Sequence, residues 1–180
     1  MLDRLETDRL VLRRWQEADR EPFAALNADV QVMRYFKAPL SRAESDLFMD
    51  RIEQVFGLNG YGFWAVEDKE SGQLAGLTGL APVLFQAPFV PAVEIGWRMA
   101  PAFWGRGYAP EAARAALVAG FGPLGLSEIV AFTTVVNANS RRVMDKLGMT
   151  HDPADDFLHP NLAEDHPLRP HVLYRIKKPA

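Results

Sequence analysis

The chain has 180 residues, 48% of them apolar and 24% charged, with a formal net charge of −3 and no cysteine. That length suits one domain with a substantial core. The charge balance gives no footprint for nucleic acid or an anionic membrane, and without cysteine there is no disulfide, thiolate nucleophile or cysteine-held zinc.

The first residues lack the apolar core of a signal peptide, and no run reaches the ~18 apolar residues a span needs. The expected compartment is therefore the cytoplasm. Arg9–Trp15 reads as a first strand with Leu10 and Leu12 on one face. Asp19–Leu26 reads as a short helix. Ser41 and Glu44 have capping-box spacing, and the helix behind them runs to about Phe56, with Leu47, Phe48, Ile52, Val55 and Phe56 on one stripe. Gly57–Gly60 ends it. Tyr61–Glu67 and Gln73–Ala81 flank a turn and read as a hairpin. Pro82–Pro91 carries three prolines and reads as a loop.

Ala92–Met99 is the next strand and Ala109–Phe121 the next helix. Glu128–Val136 is an almost continuous apolar strand, the pattern of a sheet covered on both faces. Asn139–Gly148 is a helix closed by glycine. The tail, Met149 to Ile176, holds two more strands joined by a polar loop around Asn161–His166. This order predicts a mixed α/β fold. Ala92–Val136 forms a strand–helix–strand crossover, expected to be parallel and right-handed.

The stretch WGRGYAPEAA, Trp104–Ala113, puts two glycines before a helix start. The first amides of a helix have no intrahelical acceptor, and its dipole favours anions there. Gly105 and Gly107 allow positive φ and close approach of a ligand. Pro110 suits the first turn, where its missing N–H is not needed. The amides of Arg106, Gly107, Tyr108 and Ala109 can therefore cradle a pyrophosphate. A nucleoside-triphosphate loop would need Gly-Lys-Ser/Thr, and a dinucleotide fingerprint a third glycine where Pro110 stands. A tight connection with no ligand is the competing reading.

With its surroundings the stretch resembles the GCN5-related N-acetyltransferases (GNAT), in particular the ribosomal-protein N-terminal acetyltransferases. The similarity runs from ETDRLVLRRW through YGFWAVEDKESGQLAGLTGL, VEIGWRMAPAFWGRGYAPEAA and VVNANSRRVMDKLGM to HVLYRI. The family motif Gln/Arg-x-x-Gly-x-Gly/Ala falls on Trp104–Ala109; Gly107 and Ala109 match it, and Trp104 replaces its polar first residue. The resemblance implies a mixed, mostly antiparallel sheet with a splayed parallel strand pair and helices on both faces. It implies acetyl-coenzyme A as co-substrate and no metal. The amides of Arg106–Ala109 would hold its pyrophosphate, and backbone groups near Trp97, Arg98 and Met99 its pantetheine arm. By the same resemblance Asn137 would touch that arm and Ser140 would lie near the departing sulfur. Helix capping is the other reading for both. Where many relatives use a tyrosine as acid, this chain has Met144.

Acyl transfer to an amine needs a neutral amine, donors for the oxyanion and a proton for the thiolate. With no cysteine for an acyl-enzyme, direct transfer in a ternary complex is expected. Glu94 is the candidate base, acting through water; an ion pair with an arginine is the alternative. The acceptor is a primary amine, on a small molecule or a protein N-terminus. A non-catalytic acyl-coenzyme A sensing module is the competing function, and the chain is expected to be a monomer or homodimer.

His151, His159, His166 and His171 are spaced eight, seven and five apart, which fits no helical metal face. Their neighbours Asp152, Asp155, Asp156, Glu164 and Asp165 either solvate the loop or attract an amine. Arg141, Arg142 and Lys146 are either a solvated face or a contact for the cofactor's 3′-phosphate. Phe85, Phe89 and Val90 line an acceptor pocket, make a dimer contact or cover the sheet.

Overall fold

The structure, a computed structural model, describes residues 2–179. The chain forms β1 (Arg4–Glu6), β2 (Leu10–Arg13), α1 (Arg20–Ala28), α2 (Arg42–Asn59), β3 (Phe63–Asp68), β4 (Leu74–Pro82) and β5 (Val93–Met99). It continues with α3 (Tyr108–Phe121), β6 (Glu128–Thr134), α4 (Ala138–Lys146), β7 (Thr150–His151), β8 (Phe157–Leu158) and β9 (Pro170–Lys177).

Local chemistry explains several boundaries. Ser41 accepts from the Glu44 amide, and the Glu44 carboxylate accepts from the Ser41 amide (2.8 Å), so the capping box starts α2. The helix passes the expected stop near Phe56 and ends only at Gly60, where φ is +75°. One glycine inside a helix, Gly57, costs about 1 kcal/mol, too little to break a helix packed on a core. The tail holds three short strands, not two, because β7 and β8 each pair with β9 at two positions. β1, absent from the sequence reading, pairs with β2.

The described strands make one sheet in the order β1-β2-β3-β4-β5-β6-β9-β7, with β8 also on β9. Every pairing is antiparallel except β5–β6. α3 lies so close to one face that a Cβ on Gly120 would stand 2.6 Å from Ile129 Cδ1 and 3.1 Å from Leu80 Cδ1. Met144 of α4 and Leu147, the residue that caps its end, join the same core. The other face carries α1 and α2, whose Phe23, Met49, Ile52 and Phe56 are buried with Trp64.

The parallel pair sets up the site. β5 and β6 share a single register pair, Glu94 with Val130. Beyond it β6 stays with β9, from Glu128 opposite Lys177 to Thr134 opposite His171, while β5 stays with β4 up to Met99 opposite Gly76. The two strands therefore part towards their C-terminal ends. Their peptide edges there face each other across a gap.

Candidate functional site

At the end of the gap the glycine turn meets α3. Gly105 and Gly107 both have left-handed φ, +74° and +78°, and Gly107 is the N-cap residue. Among the described residues no acceptor is found for the peptide N–H groups of Gly105 to Ala109; the first amide bonded back into the helix is that of Glu111, to Gly107 O (3.2 Å). This row of donors sits at the positive end of the helix dipole. α3 begins one residue earlier than expected, at Tyr108, because that side chain is an anchor. Its hydroxyl donates to Asp68 Oδ1 (2.7 Å) and its ring stacks on Phe103 (5.8 Å). Asp68 also accepts from the Ser71 hydroxyl (2.6 Å), and these bonds hold its carboxyl below the usual range. Arg9 donates to Arg106 O (2.9 Å) and pairs with Glu111, so the one carboxylate in the first turn is neutralised.

Beside this turn lies a cleft of about 550 Å³ lined by Thr7, Arg9, Gly107, Glu111, Arg114 and Lys146, among others. Sequence reading missed Arg9 and Arg114 here, since nothing local joins residues about a hundred positions apart. Lys146 lines the cleft, whereas Arg141 folds back to Val135 O (3.3 Å) and Arg142 to Asn139 (3.4 Å). The expected basic cluster is thus divided.

Along β5 the side chains alternate. Glu94, Gly96 and Arg98 share the α1–α2 face; Ile95, Trp97 and Met99 face the α3 side. The Arg98 carbonyl points at β4, where a Cβ on Gly76 would meet it at 2.1 Å. Alternation then turns the peptide groups of Trp97 and Met99 towards the gap. At its mouth Trp104 Nε1 donates to Met99 O (2.7 Å). Of the three residues expected to offer backbone to the arm, Arg98 instead sends its side chain to the opposite helices. Its Nη1 donates to Asn27 Oδ1, and its guanidinium lies 4.3 Å from the Phe36 ring centre. Burial pulls its pKa down to about 10.

Glu94 has no hydrogen-bond or ion-pair partner among the described residues, so the expected alternative of an arginine pair is not what the geometry gives. Burial raises its carboxyl to about 7. Asn137 is the N-cap of α4: its Oδ1 accepts from Ser140 N (3.2 Å) and its Nδ2 donates to Thr133 Oγ1 (2.9 Å). Capping is therefore present, and one amide hydrogen of Asn137 is left over. The Ser140 hydroxyl, half-buried in the first turn, has no partner among the described residues. Met144 is buried in the core.

The histidines separate. His151 pairs with Asp156 (2.8 Å) and stacks on Tyr174, while His166 Nδ1 accepts from Leu168 N (3.2 Å). His159 and His171 lie 4.9 Å apart in an aromatic cluster with Phe85, Phe89, Phe132 and Phe157, and burial lowers both pKa values. No group of three or more metal-ligating side chains is found among the described residues. Asp155 pairs with Arg175 (2.7 Å) and Asp152 caps a turn at Ala154 N, so these acids hold the loop together. Phe85 and Phe89 cover the β6–β9 end of the sheet.

The sequence matches the Acetyltransferase (GNAT) domain over residues 9–150. It is 33% identical over 154 residues to FsC-acetyl coenzyme A-N(2)-transacetylase of Aspergillus fumigatus, covering 82% of this chain and 65% of that longer protein. Among solved structures, an acetyltransferase from Agrobacterium tumefaciens aligns with TM-score 0.78 and 25% identity, over 98% of this chain and 95% of the other. Spermidine N-acetyltransferase from Vibrio cholerae, solved with CoA and spermine, has the same fold: TM-score 0.75 and 20% identity, over 96% and 97% of the two chains. The matched family, together with the parted parallel pair and the open amide row, settles the assignment: the chain belongs to the GNAT family and is an acetyl-coenzyme A-dependent acetyltransferase.

Proposed function

We propose that the chain moves the acetyl group of acetyl-coenzyme A to a primary amine by direct attack in a ternary complex. The observation that carries this reading is the row of unclaimed amides from Gly105 to Ala109 at the end of the parted β5–β6 pair. Their number and their place at a helix N-terminus suit a diphosphate. Lys146 and Arg114 border the adjoining cleft and suit the 3′-phosphate. The gap-facing peptide groups of Trp97 and Met99 suit a pantetheine arm, with the spare hydrogen of Asn137 beside it.

Acetyl-coenzyme A, when bound, supplies the activated acyl group as a thioester. The protein's residues do the rest. Glu94, unpaired and with its pKa at about 7, takes the ammonium proton through water and leaves a nucleophilic amine. Fixed N–H groups of β5 stabilise charge on the carbonyl oxygen. As the C–N bond forms and the C–S bond breaks, the Ser140 hydroxyl gives its proton to the thiolate, and the proton released by the amine nitrogen restores it through solvent. Holding both reactants on one strand supplies much of the remaining rate.

The acceptor is an amine of a small molecule or a protein N-terminus, and the cytoplasm is the compartment we assign. Thiol release with Ellman's reagent, across alkylamines, amino acids and N-terminal peptides, tests the reaction. Acetyl-coenzyme A-dependent release on at least one amine, without a labelled acetyl-protein that can be chased, is expected. A chaseable acetyl-protein overturns direct transfer.

A further inference from the structure

The α1–α2 face of β5 carries two ionisable side chains that the protein leaves unpaired. Glu94 is one and Arg98 the other, four residues on and so about 13 Å apart at Cα. Arg98 has no carboxylate within ion-pair distance among the described residues; its one protein acceptor is the amide oxygen of Asn27. Asn27 is itself fully buried and fixed by donating to Ser45 Oγ (2.8 Å). Arg98 Nε is sealed from solvent with no acceptor at all. Nη2 also lacks a protein partner, yet it is not among the sealed atoms, so it is open to solvent. Phe36 and Phe48 flank the guanidinium at 4.3 and 5.5 Å, and Phe36 is partly exposed.

A buried cation without a counter-charge is costly, and an anion that completes it gains correspondingly. Other arginines of this chain have carboxylates: Arg13 has Asp19 and Glu67, Arg175 has Asp155 and Glu128. Arg98 differs from these in lacking a carboxylate and in sharing a strand face with Glu94. Between it and Glu94 on the same face stands Gly96, with no side chain, and the ring edge of Phe63 beside it. The acid and the guanidinium therefore share one strand face that borders the gap.

We infer that the acceptor carries a carboxylate as well as its amine, held by Arg98 while the amine is placed at Glu94. The inference rests on the acetyltransfer reading and names its substrate class: small ω- or α-amino acids. The carboxylate accepts from Nη2, the open end of the guanidinium, and the chain between the groups runs past Gly96 along the ring of Phe63.

The experiment compares straight-chain amino acids, with one to five methylene groups between amine and carboxylate, with the methyl ester of each, by thiol release at saturating acetyl-coenzyme A. In the wild type at least one free acid should exceed its ester in kcat/KM by about 100-fold, since the ester leaves a buried cation unmatched. Arg98→Gln should bring that ratio within about threefold of unity by slowing the acid. Asn27→Asp gives Arg98 a built-in counter-ion of the same shape. It should cut the ratio at least about tenfold, with a cooperative melting transition showing that the variant is folded. A purely structural Arg98 would leave the ratio unmoved in Asn27→Asp. An unchanged ratio in both variants, equal use of esters and acids by the wild type, a preference for peptides, or no turnover of any free acid overturns the inference. Calorimetric titration with acetyl-coenzyme A keeps the two readings apart. Binding with turnover of neutral amines leaves the acetyltransferase reading standing and sinks only the carboxylate; no binding sinks both.

Discussion

At the scale of single residues the balance turns on Glu94. No cation pairs with it; Arg98 is the charged neighbour on its own face, and across β6 the register runs through Val130 to Arg175, which Asp155 and Glu128 already hold. Desolvation alone raises the carboxyl, so the proposed base is poised close to working pH. The rate should rise with pH through about 7 and level off above it. Glu94→Gln should remove that limb and lower kcat/KM by roughly 10²- to 10⁴-fold, read from pH profiles of thiol release. Stability moves the opposite way. Below pH 4.5 the carboxyl is neutral folded and unfolded alike; from 4.5 to about 7 only the unfolded chain has lost its proton, so folding stability falls across that window. Glu94→Gln should therefore be the more heat-stable protein at pH 8, by up to about 3 kcal/mol, with the gain gone at pH 4. Glu94 was readable from its strand and a family resemblance. Its isolation was not, because the absence of a partner is a property of the packed face. The open edge of β5 was not readable either: a strand fixes which way neighbours point, but only the paired β4 shows which residues turn their peptide groups to the gap.

At the scale of elements, what was legible is what is local. The Ser41 capping box, the glycines of the α3 entry and the Asn137 cap depend on residues within a few positions, and each stands where the spacing put it. The end of α2 was misread because Gly57 was given more weight than the core behind it. β1, β7 and β8 went unseen or uncounted, since two- and three-residue strands owe their existence to β2 and β9 rather than to their own composition. Two variants test the elements that frame the cofactor. Gly107→Ala meets no clash, its Cβ lying 3.6 Å from Arg9 Nη2, but it forces alanine into φ +78°. The strain of about 1–2 kcal/mol should lower the melting midpoint by a few degrees. Relief of that strain re-aims the amide row, so calorimetry should show acetyl-coenzyme A bound about tenfold more weakly, a loss of ~1.4 kcal/mol. Asn137→Ala removes the α4 cap and should cost about 1 kcal/mol. Asn137→Asp keeps an acceptor for Ser140 N and should recover most of that stability. It lacks the amide hydrogen, so weaker cofactor binding in both variants would separate contact from capping. Equal binding by the wild type and Asn137→Asp would leave Asn137 as a cap alone.

At the scale of the whole molecule, the sheet is firm except along one seam. β3, β4 and β5 are paired along their lengths, with one register shift at Val66–Glu67, and β6 and β9 are paired continuously; the two blocks meet at one register pair. α3 spans the seam: Gly120 touches Leu80 of β4 and Ile129 of β6. The helix whose N-terminus is the proposed anion site is thus also the brace between the blocks. A ligand seated at Gly105–Ala109 and along the gap should tie the blocks together from the other side. At a hundred times its Kd, acetyl-coenzyme A should add about 2.7 kcal/mol, which for a chain of this size raises the melting midpoint by roughly 5–10 °C. The gain should not be uniform. Amides of 105–109 exchange with solvent freely when they have no acceptor, and those of Trp97 and Met99 face the gap. Hydrogen exchange should slow at these two segments and hardly change in β2–β3 or under α2, where the amides are already paired. Protection spread evenly over the sheet, or confined to the α1–α2 face, would mean that the anion does not sit at the start of α3. It would mean as well that the seam is not the path of the thioester arm.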